Sequence, residues 1–316
     1  MKKLILIPLI ALLMLSGLYG GDGKISGKVY FDYTIDPETN ENEFALHRVY
    51  FTYGKNVNDA ISVKFRTDMT QLDYIKSVDF DATDADGSQT PLVTYVKYAY
   101  LSWKTKAGKL SFGLQGLNMF PIQEANWGYR YIEKSLMDKN KFSSSADLGI
   151  SMANHLGDKL NYSLMISNGS GYKKAESDKY KKISAQIYMG ETKLTSKSGF
   201  NAGAVFSYEP NDADNTSVAG LFAAWANSTL RIGSEFAVKI DDATTTLSTI
   251  YGNFALKKAI HLFARADIEA KDDETETYVI VGASLNPVKG LKMSPNIKMD
   301  LADESTLLGI NMEFAF

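Results

Sequence analysis

From about residue 24 to residue 316 the sequence repeats one pattern: a segment in which apolar and polar side chains alternate, then a connection, then another such segment. Alternation of period two marks an extended strand, whose successive side chains point to opposite faces. In 60–69, Ile61, Val63 and Phe65 share one face while Ser62, Lys64, Arg66 and Asp68 share the other. In 229–240, Leu230, Ile232, Phe236, Val238 and Ile240 oppose Arg231, Glu235 and Lys239. The segments 259–269 and 290–301 sort as cleanly, placing His261, Arg265, Asp267 and Glu269, and then Lys292, Asn296, Lys298 and Asp300, on their polar faces. The segments 92–104, where Lys97 lies among Tyr95, Tyr98 and Tyr100, and 244–256 do not sort.

Strands are expected at 24–34, 43–53, 60–69, 92–104, 109–115, 145–156, 159–168 and 180–190. They continue at 199–208, 216–227, 229–240, 244–256, 259–269, 276–286, 290–301 and 304–316. Connections after even-numbered strands are tight, as at Gly54-Lys55-Asn56, Gly157-Asp158 and Asn227-Ser228; only 191–198 is longer. Those after odd-numbered strands hold most of the acid, as at Asp36-Pro37-Glu38, 70–91 and Asp241-Asp242. A soluble β-sandwich has no reason to keep this phase, whereas short turns on one side and longer loops on the other are what membrane barrels show. The expected fold class is all-β: a transmembrane antiparallel β-barrel of about sixteen strands, with a constriction loop after strand 5. An even strand number puts both ends of the barrel on the side of the short turns.

Composition agrees. Past the first twenty residues no apolar run is long enough for a membrane helix, a silence that a barrel shares because lipid-facing residues alternate with lumen-facing ones. Aromatics make up 12%, with 18 Tyr and 16 Phe against 3 Trp, which suits strands and interfacial girdles. Zero cysteines exclude disulfides, thiolate zinc sites and thiol catalysis. Residues 1–20 read as a signal peptide: Lys2 and Lys3, an apolar run from Leu4 to Leu15, then small residues. The barrel would occupy 21–316. Without Lys2 and Lys3 the formal charge goes from −3 to −5, and no basic face of the kind that binds nucleic acid is present.

The last strand, Ser305 to Phe316, places Leu308, Ile310, Met312, Phe314 and Phe316 on one face and ends on an aromatic residue. That ending resembles the bacterial outer-membrane β-barrel proteins, and the resemblance implies that Phe316 is read by the barrel-assembly machinery. Lys28-Val-Tyr-Phe-Asp-Tyr33, Phe44 to Tyr53, Val63-Lys-Phe-Arg-Thr-Asp68, Tyr98-Ala-Tyr-Leu-Ser-Trp103 and Leu110 to Gln115, with Pro121 and Glu124, resemble the porin superfamily, specifically its phosphate-selective type and relatives. These stretches cover the first half of the chain; the second half matches in architecture only. The resemblance implies an outer-membrane location, a passive channel for small hydrophilic solutes or ions, contact with outer-membrane lipid, and a homotrimer. It does not imply phosphate, since acidic residues share the lumenal faces.

The connection 116–144 is the longest irregular segment, and such loops tend to be functional or disordered. The resemblance implies that it folds into the barrel, where Glu124, Arg130, Glu133 and Lys134 would set the constriction. Across from it the alternation places Arg48, Lys64, Arg66, Asp68, Arg231, Glu235, Arg265, Asp267, Lys292 and Lys298 on lumenal faces, because Arg or Lys facing lipid at the midplane costs roughly 2–4 kcal/mol. The loop around Asp79-Phe-Asp81-Ala-Thr-Asp84-Ala-Asp86 is rich in carboxylates, but the spacing breaks the D-x-D-x-D-G pattern and no Glu closes it. No metal or cofactor is expected. His47, His155 and His261 stand in no serine-nucleophile motif, so no catalysis is expected. The alternative to a diffusion pore is a non-conducting structural or adhesive barrel displaying acidic external loops.

Overall fold

In lipid every backbone N–H and C=O must find a partner within the protein, and a closed antiparallel sheet meets that demand without leaving an edge. The computed structural model, which describes residues 23–71, 92–157, 159–212, 214–272 and 274–316, is such a sheet. Its strands are β1 (Lys24–Ile35), β2 (Asn42–Asn56), β3 (Ile61–Gln71), β4 (Leu92–Thr105), β5 (Gly108–Gly116), β6 (Ala146–Leu156), β7 (Leu160–Ser167) and β8 (Lys182–Gly190). They continue as β9 (Gly199–Glu209), β10 (Thr216–Ala226), β11 (Leu230–Ile240), β12 (Thr244–Lys257), β13 (Ile260–Lys271), β14 (Glu274–Val288), β15 (Leu291–Asp300) and β16 (Ser305–Ala315). Two short helices, α1 (Pro121–Trp127) and α2 (Leu136–Lys139), lie between β5 and β6. Each strand pairs antiparallel with its chain neighbours, and β1 closes the ring on β16. The signal-peptide reading of 1–20 and the carboxylate-rich stretch around Asp79 lie outside the described residues.

The closing seam pairs Phe31 with Met312 and Tyr33 with Ile310. Beyond it, Gly27 N–H donates to Phe316 O at 2.9 Å and Phe316 N–H donates to Gly27 O at 3.2 Å. A Cβ at Gly27 would lie 2.2 Å from the Phe316 ring, so glycine is what lets the ring lie against β1.

Sidedness follows the alternation. Phe206, Leu221, Ile232, Phe236 and Ile250 are exposed on the outer wall, while Asn201, Ser207, Glu235 and Thr249 are buried on the inner one. An outer wall this apolar exceeds what water-facing surfaces carry and fits a hydrocarbon belt. The two segments that fail to sort have physical reasons. Between β3 and β4 the register jumps, Arg66 facing Tyr98 but Thr67 facing Val96, so Lys97 is the extra residue of a β-bulge and shares the lumenal side with Tyr98. In β12 the inner face carries buried Leu247 and Tyr251, because the interior there is apolar rather than wet.

Candidate pore and its internal loop

The 117–145 connection lies inside the barrel, held first by apolar packing. Met119, Phe120 and Ile122 around α1, and Leu136, Met137 and Phe142 around α2, form one buried cluster with Val205, Val218, Phe222, Ala237 and Leu247 of β9–β12. Local sequence sets both helices. Pro121 occupies the start of α1, where a missing N–H costs nothing, and Gly128 ends it in the left-handed region at φ 75°, its N–H bonded to Glu124 O. Gly220 on β10 leaves the gap that Met137 Cε fills.

Polar contacts then tie the loop to the wall, since buried carbonyls away from regular structure need donors. Asn126 and Asn201, both buried, exchange two amide bonds of 2.8 Å. Arg231 donates to Trp127 O at 3.0 Å, Arg265 to Lys134 O at 2.7 Å and Lys298 to Ile132 O at 2.9 Å. Tyr131 Oη bonds Ser284 and Ser294, Asn253 donates to Tyr129 Oη, and Asn118 reaches Ser163 and Ser184. Side-chain contacts thus run from β7 round to β15, and on to β16 through Asn311. The side left free of hydrogen bonds from the loop, among the described residues, is the wall of β2–β4, although Tyr50 of β2 joins the buried aromatic cluster of Tyr30, Trp127, Tyr129 and Tyr131.

That wall is basic and aromatic. Asp68, fully buried, accepts from Arg48 at 2.8 Å and from Tyr172 Oη at 2.6 Å, with Lys97 Nζ at 3.8 Å. Arg66 lies over the rings of Tyr50 and Tyr98 at 5.3 and 5.0 Å, and Lys64 over Tyr98 at 5.2 Å, at distances where cation–π attraction operates. Neither Arg66 nor Lys64 makes an ion pair among the described residues. On the loop, Arg130 joins Glu124 at 2.9 Å and Asp138 at 3.0 Å.

All ten inward residues expected from the alternation project into the barrel, but they divide. Arg48, Lys64, Arg66 and Asp68 border the free side. Arg231, Glu235, Arg265 and Asp267 lie under the loop, between 2 and 8% exposed, and Arg265 pairs with Asp267 at 2.7 Å. Lys298 caps the loop, and Lys292 meets Glu313 at 2.8 Å on the side of the short turns. Of the four loop residues, Glu124 and Arg130 pair with each other. The Glu133 carboxyl bonds Lys134 N–H. Burial alone would raise that carboxyl, but Lys298, Lys139 and Arg265 more than offset it and hold it below the ordinary glutamate range.

Sequence reasoning missed Lys97, hidden by its bulge, and Tyr172, whose 168–181 connection carried no pattern. Among the described residues no group of His, Asp and Glu gathers as a cation site. His47 pairs with Asp32, and His261 lies 3.4 Å from Asn253.

No family model matches the chain, and none of the curated proteins does. Solved structures do. The fold is similar to Salmonella typhi OmpF, solved with daunomycin: TM-score 0.65 at 12% identity, over 94% of this chain and 98% of that one. It is similar to a mutant porin of Rhodopseudomonas blastica, with TM-score 0.64 at 15% identity over 93% and 100%. It is also similar to the anion-selective porin from Comamonas acidovorans, with TM-score 0.64 at 10% identity over 93% and 99%. The chain therefore has the closed sixteen-stranded fold of the bacterial outer-membrane porins. At these identities the likeness is one of fold.

Proposed function

We propose that this protein is a bacterial outer-membrane porin through which small hydrophilic solutes or ions diffuse passively. The observation that carries the reading is the partial filling of the lumen. The 117–145 loop is packed and bonded against β7–β16, so solute is confined to the side of Arg48, Lys64, Arg66 and Lys97. Arg48 and the buried Lys97 share the one carboxylate, Asp68, while Lys64 and Arg66 make no ion pair among the described residues, an excess of positive charge that favours anions there, as selectivity depends on pore radius and lining charge. Glu124 and Arg130 supply the opposite rim. Of the remaining inward charges, Arg231, Arg265 and Lys298 hold the loop by capping its carbonyls, and Asp267 braces Arg265.

Related proposals complete the picture: residues 1–20 direct secretion, Phe316 engages the assembly machinery, the outer wall meets lipid, and the barrel assembles as a homotrimer. A structural neighbour from Vibrio cholerae is described in its trimer form, which supports that last proposal by likeness of fold. No step of the reading calls for catalysis. Refolded protein in a planar bilayer tests it: stable open steps support diffusion, and heat-modifiable protein that never conducts would point to a structural barrel instead.

A further inference from the structure

The connection between β8 and β9, residues 191–198, is the one long turn on the side of the otherwise tight turns, and it does not hang free. Leu194 is 3% exposed, packed with Ala224 and Ala226 on the inner wall. Thr195 lies against the internal loop, where a Cβ on Gly128 would come within 2.6 Å of its Cγ2. Asn201, the partner of Asn126, also donates to Glu191 O at 2.6 Å. The turn is braced internally: Ser196 and Lys197 N–H both bond Lys193 O at 2.9 Å, and Lys197 pairs with Glu191 at 3.0 Å.

A cleft of about 440 Å³ has Thr192, Lys193, Thr195 and Ser196 on one side and Lys28, Lys292 and Glu313 on the other, roofed by Glu124 and Arg130. In a ring of sixteen, β8 and β9 stand diametrically opposite β16 and β1. One cleft with walls from both means that the turn reaches across the mouth of the barrel beneath the internal loop. Its charges are unequal: Lys28, Lys193, Lys292 and Arg130 against Glu124 and Glu313. Lys28 and Lys292 share Glu313 at 2.8 Å each, whereas Lys193 makes no ion pair among the described residues.

We infer that the 191–198 turn forms, with Lys28 and Lys292, a second and cationic constriction on the short-turn side, through which small oxyanions leave the pore. The hydroxyls of Thr192 and Thr195 provide donors that an oxyanion, unlike a halide, can meet at several oxygens. This rests on the proposed diffusion pore and adds to it a second selectivity element in series with the first.

Because the chain has no cysteine, Lys193→Cys can be labelled at a single site. The refolded full chain carrying it would be read in a planar bilayer before and after a negatively charged methanethiosulfonate, with labelling confirmed by mass and folding by heat-modifiable mobility. The label turns a neutral thiol into an anion. At about 8 Å from the path this one-unit change, felt in opposite senses by anions and cations, shifts their ratio roughly twofold in about 0.1 M salt after screening. The expected result is that shift, with a drop in single-channel conductance, and neither effect from labelling Lys258→Cys, exposed on the short-turn side but outside the cleft. Unchanged current and reversal potential in the fully labelled Lys193→Cys protein would overturn the inference and leave the pore standing. So would an equal effect at position 258. Absence of any conductance in the unmodified protein would instead remove the pore reading itself.

Discussion

Replacing Met137 by alanine should loosen the internal loop without loosening the barrel. Met137 is 1% exposed, and its thioether end fills the space left by Gly220. Buried Met-to-Ala changes cost about 2–5 kcal/mol, and the low end applies here because the lumenal side can take up water. About 2.5 kcal/mol multiplies the population of the detached loop roughly 70-fold. Amide hydrogen exchange reads this directly. The N–H groups of Lys139, Asn140 and Phe142 bond Ser135 O, Leu136 O and Met137 O, and should lose protection by that factor. Amides of β9–β12 should keep theirs, since the barrel ladder does not depend on Met137. Single-channel records should gain open-state noise. Unchanged exchange over 135–142 would refute the apolar anchoring, and equal loss of protection in loop and barrel would refute their separability.

Other expectations are as specific. Arg66→Gln with Lys64→Gln removes two cations that make no ion pair among the described residues, so the reversal potential under a salt gradient should move toward cation preference; no movement would place the permeation path elsewhere. Gly27→Val drives a side chain into the Phe316 ring, which a Cβ alone would approach to 2.2 Å. The yield of heat-modifiable barrel should fall, and Gly27→Val with Phe316→Ala should recover folding in vitro if the clash is the cause. Glu133 is held below the ordinary glutamate value, so its contribution to loop anchoring is complete above the unfolded value of about 4.3 and is lost as the pH falls through the lower folded one. Open-state noise should therefore stay constant from about pH 7 to about pH 5 and rise only below about pH 4; a rise nearer neutrality would contradict that assignment.

The barrel was legible because its constraint is written in every strand: lipid on one side enforces an apolar face, and period two fixes which residues share it. Strand order and the inward placement of Arg66 or Arg265 follow from that alone. What was not legible depends on three-dimensional packing. The alternation in 244–256 is blurred because Leu247 and Tyr251 face an interior filled by the loop, while Thr246 and Ser248 point the other way. Lys97 was obscured by a single bulged residue. The lumenal charges read as one set, yet Arg231 and Arg265 cap loop carbonyls while Arg66 remains on the free side, a division set by where the loop lies. The 191–198 turn was visible as an exception in length, but nothing in its sequence marks that Leu194 turns inward.

The proposed pore requires an open, cation-lined path along the wall of β2–β4. Single-channel conductance of the refolded protein in a planar bilayer, with the reversal potential under a salt gradient, tests it most directly. Such a path gives stable open steps and a reversal of the sign set by anion flow. Heat-modifiable, folded protein that inserts and stays silent, or a channel that reverses as a cation pore, would contradict it.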